Sequence, residues 1–436
     1  MLIPEPILAE LEAALDDGDA SWTVASVDFD IDPLVFVRAA HHLVGLAVYF
    51  GRPGGVEVGA VGSAWEAGAS SGEGRLRRLA PQLPDLPGAR FVLGYSFEAD
   101  GPHSEEWQRF GPTRLVLPAA TVVREGESTK LIVAVQDGDS SGVFALLRSL
   151  RRPVPMSRRH AADRTIESVP APGEWVEAVE EALAAIQAGA VEKVVLARSV
   201  LVTSDVTADP FDLAARLRLG YPGCFAYAWE AGDDAFVGAS PELLASVRDS
   251  LVTSEPLAGT TSRGAGEDED RALGEALMAS AKNRLEHRIV IDDIATRLRP
   301  LMSDLSVPTT PMLRRMANVQ HLSTRIQGGL RSDLGILDVV ETMHPTPAVG
   351  GSPKDEAVAM IGKLERIDRG WYSGGIGWID SDGDGEVAVA LRCALVRGAT
   401  ARMFAGAGIV AGSDPQSELE ETRLKFGPML SLLTEA

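Results

Sequence analysis

Residues 191–202 read VEKVVLARSVLV. The run is valine, leucine and alanine with little interruption, the composition of a buried strand. Lys193 stands at its entrance, just inside the apolar stretch. A buried lysine is costly unless it is paired or deprotonated, so its presence calls for a partner or a chemical use. Before the strand, residues 174–187 form an amphipathic pattern, with Trp175, Val179, Leu183 and Ile186 on one side and Gly189 as a stop. After it come strand patterns in CFAYAWEA, DAFVGAS, ELLASV and SLVTSEPLAG. A helical block is expected over 267–301, and a strand in VQHLSTRIQGG. Two helical patterns, DLGILDVVETM and KDEAVAMIGKLE, flank the loop HPTPAVGGSP. GWYSGGIGWID, GEVAVALRCALV and ARMFAGAGIV read as three strands that end the sheet. The last helix starts at SDPQSELEETRLK, with Ser413 or Asp414 as its cap and Pro415 in its first turn. Strands adjoin strands and helices come in blocks, so the fold class is α+β and not an alternating βαβ sheet.

The first half is harder to read. SWTVASVDFDI, HHLVGLAVYF, RFVLGYSFEA, TRLVLPAATVVRE and TKLIVAVQ suggest a mostly antiparallel meander. The charged, proline-bearing stretch 151–173 reads as a connection between halves. This divides the chain into a divergent N-terminal half, 1–165, and a region 166–436 within one α+β body.

The chain has 436 residues, 45% hydrophobic and 24% charged, enough to bury a large core. Its formal net charge of −21 excludes a basic nucleic-acid footprint. If the ligand is an anion, the site must supply local positive charge. Cys224 and Cys393 lie far apart in apolar runs and are expected to be reduced core residues. The opening MLIPEPILAELEAALDDG lacks the signature of a signal peptide. No apolar run approaches about 20 residues, so no membrane span is expected and the protein is expected to be cytoplasmic.

Three groups of residues could carry chemistry. Glu418, Glu421, Thr422 and Lys425 fall at i, i+3, i+4 and i+7 and share one helix face. Glu286 sits within the expected helix around AKNRLEHRIVIDDI, with Asn283 and Val290 on its face. Carboxylates from two helices are a usual way to hold Mg²⁺, although the same spacing describes a solvated acidic face. Lys193 and Glu242, the latter in GASPELL, could form an acid/base pair or a structural salt bridge. DSDGDGE, 380–386, imitates the start of a calcium loop, but its twelfth position is Leu391 and its flanks are strands. GAGIVAG, 406–412, lacks the spacing of a dinucleotide loop, and the seven histidines show no zinc spacing.

Ten blocks in order, EKVVLAR, GASPELL, EPLAGTTSRG, KNRLEH, VQHLSTRIQG, HPTPAVGGSP, GWYSGGIGWID, ALRCALV, FAGAGIV and SELEETRLK, resemble the chorismate-utilising enzymes. That family includes isochorismate, salicylate, anthranilate and aminodeoxychorismate synthases. The resemblance covers about residues 165–436 and is weak before them. It implies the anthranilate synthase-like fold, with two mainly antiparallel sheets and helices around a central cleft. It implies Lys193 as general base on water and Glu242 as general acid on the C4 hydroxyl. It implies Mg²⁺ as cofactor, held by Glu286 and Glu421 with Glu418 close by. Arg392 and Tyr372 are implied to hold the enolpyruvyl carboxylate. Gly408 is implied to bind through its N–H, with Lys425 adding charge. Gly259 and Thr260 match contacts near the ring carboxylate, and His321 matches a pocket histidine.

Ala348, in HPTPAVGG, stands where members that go on to expel pyruvate typically carry threonine. Ala258 stands where aminodeoxychorismate synthases carry a nucleophilic lysine. Asn283 stands where several relatives carry an acidic residue. The resemblance therefore implies a Mg²⁺-dependent isochorismate synthase acting on chorismate, with salicylate synthase and a non-catalytic relative as alternatives. It implies no glutaminase subunit, no nucleic acid and no membrane, and a monomer.

Overall fold

A computed structural model describes residues 1–16, 21–68, 70–153 and 163–434. Much of the connecting stretch 151–173 lies outside the described residues. Every strand pairing among the described residues is antiparallel. The expected two sheets are three, of twelve, nine and three strands. Strands from both sides of residue 165 share the two larger ones. In the twelve-stranded sheet, Leu46–Gly51 pairs with Phe225–Ala231, and the Lys193–Ser204 strand lies beside Thr400–Val410. In the nine-stranded sheet, Phe91–Tyr95 pairs with Gly375–Ile379. The N-terminal half is not a pure meander, for it also holds the helices Glu5–Asp16, Pro33–Ala40 and Ser141–Ser149. Asp32 caps the second of these, accepting from the Leu34 and Val35 N–H groups.

Several expected strands divide, and each divides by changing sheet. SLVTSEPLAG gives Leu251–Glu255 in the nine-stranded sheet and Leu257–Ser262 in the three-stranded one. Pro256 falls at the break, where a missing N–H cannot extend a ladder. VQHLSTRIQGG likewise becomes Val319–Ser323 and Ile326–Leu330 in those two sheets. The three strands expected at the end are four: Gly375–Ile379 and Gly385–Val389 lie in the nine-stranded sheet, Cys393–Arg397 and Thr400–Val410 in the large one. The expected block 267–301 is two helices, Glu267–Ala279 and Ala281–Leu298, followed by a short 3₁₀ turn. Ser280 separates them because its hydroxyl accepts from the Asn283 N–H and starts the second helix.

The acidic loop 380–386 is a hairpin turn, with the Asp380 carboxylate accepting from the Asp382 and Asp384 N–H groups. Both cysteines are buried and unbridged. Apolar side chains fill the space between the sheets and the helices that cover them. Trp107, Trp229, Trp371 and Trp378 are completely buried in one cluster. Among the described residues no helix is long and apolar enough to cross a membrane.

Candidate active site

The site lies where the chain changes sheet. Strand Asp234–Ser240 of the large sheet continues, after Pro241 and Glu242, as Leu243–Arg248 of the nine-stranded sheet. Alongside it, Gly385–Val389 continues through Arg392 as Cys393–Arg397, crossing the other way. The two corners bond to each other: Val389 N–H donates to the Glu242 carbonyl at 3.1 Å, and Ala239 N–H to the Arg392 carbonyl at 3.2 Å. At a corner the side chains leave the pleat and point into the gap between sheets. Glu242 and Arg392 are thus brought together from 150 positions apart in the chain.

Glu242 is 3% exposed. Burial pushes its carboxyl up to about 7, although Lys193, Lys425 and Arg392 pull the other way. Arg392 has φ +52°, in the left-handed region that a side chain adopts at a cost of about 1–3 kcal/mol. Burial lowers the pKa of its guanidinium. Among the described residues that guanidinium makes no ion pair and no hydrogen bond. A half-buried, strained cation with no partner among the described residues does nothing for stability, so its position points to an anionic ligand.

Two helices supply the carboxylates. Glu286 projects from Ala281–Leu298, and Glu418, Glu421 and Lys425 from Pro415–Thr434, whose start is capped by the Asp414 carboxylate accepting from Ser417 N–H. Each acid faces a lysine. Glu286 is 3.1 Å from Lys193 Nζ, Glu418 is 2.6 Å from Lys282 and Glu421 is 2.6 Å from Lys425. The salt bridge of Lys193 is therefore with Glu286 and not with Glu242. Burial would raise the Glu421 carboxyl, but Lys425 and Lys282 outweigh it and hold it low. Glu418 goes the other way, raised by burial and by its neighbour Glu421. The acidic face is not solvated: Glu286 and Glu418 are buried and Glu421 is half-buried.

The three-stranded sheet forms another wall. His321, on Val319–Ser323, is buried, with Nδ1 3.1 Å from the Thr260 hydroxyl and 3.4 Å from the Gly259 carbonyl. Burial, with Arg392 and Lys425 nearby, pushes it down to about 3, so it is neutral at physiological pH. Its Nε2 has no protein partner. Gly259 has φ +77°, and a Cβ there would lie 3.1 Å from Asn283 Cβ. Tyr372 is buried and stacks on Phe404 at 5.4 Å, and burial pushes its phenol up to about 12.

One cavity, open at its mouth, is lined by Glu242, Gly259, Thr260, Glu286, His321, Ala348, Tyr372, Arg392, Gly408, Glu421 and Lys425. These are the residues singled out from the sequence, save two. Lys193 lies behind Glu286, and Glu418 lies behind the wall against Lys282. Lys282 was missed, although it precedes Glu286 by one helical turn, and that spacing marks the same face.

No three metal-ligating side chains converge among the described residues. Mg²⁺ asks for less, since one or two carboxylates plus substrate oxygens and water suffice. Glu286 and Glu421, from two helices and lining one cavity, would meet that need. Gly408 keeps the space clear, because a Cβ there would fall 2.3 Å from Glu286 Oε1 and 3.0 Å from Lys193 Cε.

A salicylate biosynthesis isochorismate synthase of Pseudomonas aeruginosa is 38% identical over 79% of this chain and 74% of its own length. The isochorismate synthase MenF of Bacillus subtilis is 38% identical over 78% of this chain and 74% of its own. The solved structure of the menaquinone-specific isochorismate synthase MenF from Escherichia coli superposes with a TM-score of 0.85 at 26% identity, covering 98% of this chain and 99% of that one. The family model described as chorismate binding enzyme matches residues 11–434, and on that match and these relatives the chain belongs to the chorismate-binding enzyme family.

Proposed function

We propose that this protein is an isochorismate synthase, an isomerase that converts chorismate to isochorismate. The observation that carries the reading is the cavity itself, which places the proton-holding Glu242 and the unpaired Arg392 side by side, facing Glu286, Glu421 and Lys425. Lys193 takes a proton from the water that attacks C2 of the ring. The two ring double bonds each move by one position, and Glu242 gives its proton to the departing C4 hydroxyl, which leaves as water. Water in equals water out, and nothing is oxidised. A general acid must be protonated at working pH, and burial does this for Glu242. Arg392 binds the enolpyruvyl carboxylate, with Tyr372 beside it. Gly259, Thr260 and Gly408 offer polar contacts of backbone and hydroxyl.

Glu286 and Glu421 would hold Mg²⁺, with Glu418 behind them, and the bound ion supplies positive charge to the ring carboxylate. The protein acts without a glutaminase subunit, as a monomer in the cytoplasm, where two unbridged cysteines are at home. Its product serves menaquinone or salicylate formation, the fates named for the matched relatives.

The test is a product assay with chorismate, with Mg²⁺ or with EDTA. Isochorismate approaching a reversible equilibrium, and lost with EDTA, is expected. Salicylate with pyruvate above the no-enzyme background would make the site lyase-competent and remove Ala348 as the discriminating residue. Ligand binding with no product would make the chain a binding protein.

A further inference from the structure

The Lys193–Ser204 strand has an incomplete edge. On one side it pairs with Thr400–Val410 from Lys193 to Thr203. On the other, Gly351–Ser352 covers Lys193 and Val194, and Arg164–Val169 covers Ser199 to Ser204. Between them the strand faces no strand among the described residues. Unpaired backbone groups there would be costly, because the strand is buried.

A side-chain pair fills the gap. Ala197 N–H donates to Glu365 Oε1 at 2.6 Å, and Arg369 Nη2 donates to the Val195 carbonyl at 2.8 Å. One carboxylate and one guanidinium thus stand where a neighbouring strand would place a C=O and an N–H. The two are bonded to each other at 2.5 and 2.9 Å and are 4% and 3% exposed. Arg369 does more with its remaining donor. Nη1 reaches the Val349 carbonyl at 2.8 Å, in the loop that carries Ala348. Its own carbonyl accepts from Tyr372 N–H at 2.9 Å. The fork of a guanidinium can serve all these acceptors, whereas an ammonium cannot match its planar spacing.

We infer that Glu365 and Arg369 are positioning residues for the reaction, an ion pair that replaces a missing piece of strand and sets the Lys193 strand, the Ala348 loop and Tyr372 in one register. The inference rests on the isochorismate synthase reading. Neither residue lines the cavity, and the bonds above take up both side chains. They act through Lys193, two residues before Val195, and through the Ala348 loop beside it.

The test uses Arg369→Lys and the double variant Glu365→Gln with Arg369→Met, which leaves no charge buried alone. For each folded variant, melting temperature, kcat and KM for chorismate are measured well below the melting point. Deuterium uptake is followed in peptides covering 193–198 and 345–350. The double variant is expected to fold, to lose about tenfold or more in kcat per folded molecule, and to change KM less, because small displacements of catalytic groups are costly. Arg369→Lys should restore part of the loss. Exchange should quicken about tenfold in those two segments and stay unchanged in the distant strands Trp22–Asp28 and Ser128–Gln136. Folded variants with kcat and KM within about twofold of the parent, or exchange that quickens uniformly, would reduce the pair to ordinary core structure. If the parent makes no isochorismate, the functional reading falls. Local against uniform exchange then decides for or against the pair on its own.

Discussion

At the scale of single residues, the site is built from groups that stability alone would not choose. Glu242 is a carboxyl kept uncharged by burial, and Arg392 is a cation with no partner on a strained backbone. Glu242→Gln keeps the shape and removes the proton, so kcat should fall about 10²–10⁴-fold with the fold intact, read by steady-state kinetics. Since Glu242 must hold its proton, activity in the parent should decline as pH rises through about 7. Arg392→Gly should divide stability from function. It relieves the left-handed backbone, so denaturant unfolding should show a gain of about 1 kcal/mol. The same variant should lose most of its kcat/KM, because the anion contact is gone. Gly408→Ala should do damage on both counts, since its methyl meets the Glu286 carboxylate at 2.3 Å. Overpacking of this kind costs about 1–3 kcal/mol.

At the scale of elements, the common device is the strand that leaves one sheet for another. Four such crossings surround the cavity: two deliver Glu242 and Arg392 into the gap between sheets, and two join on to the strands that carry Gly259, Thr260 and His321. Gly259 sits at a bulge in its strand. Its φ of +77° and the closeness of Asn283 leave little room for a side chain. Gly259→Ala should lower the unfolding free energy by about 1–2 kcal/mol, measured by chemical denaturation, and should shift the Glu286 helix that Asn283 belongs to. Asn283 also donates its side-chain amide to the Ser280 hydroxyl at 2.9 Å, so here the position serves the start of that helix. The helices that carry the site were legible because each has its own signals: the Asp414 cap, the spacing from Glu418 to Lys425, the apolar stripe of Trp175 and Val179 on the helix before the Lys193 strand. The crossings were not, because nothing local in the chain says which sheet the next strand will join.

At the scale of the whole molecule, acid stability follows from buried histidines. His321 and His344 are both pushed down to about 3 by burial, and His287 to about 4. In the unfolded chain each takes a proton near its ordinary value, about 6.5, while the folded state refuses it until far lower pH. Unfolding therefore gains protons as pH falls below about 6.5, and stability drops by up to ~1.4 kcal/mol per pH unit for each histidine. Glu242 opposes this, because the folded state holds its proton between about 4.5 and 7. The share of one histidine is read by His344→Gln, whose melting temperature should fall less between pH 6.5 and 5 than that of the parent. The chain's own sequence determined the α+β class, the helices that carry the site, and a candidate set of which nearly all proved to share one cavity. It did so because helical periodicity and capping are local, and because the ten blocks resemble a family whose site they carry. Only the tertiary structure decided who pairs with whom. It gave Lys193 to Glu286 and not to Glu242, set Lys282 against Glu418, split the expected strands among three sheets, and placed Glu365 and Arg369 in the gap of the Lys193 strand. Those contacts join residues far apart in the chain. Their geometry is fixed by how twisted sheets meet at their corners, and no spacing along the sequence encodes that.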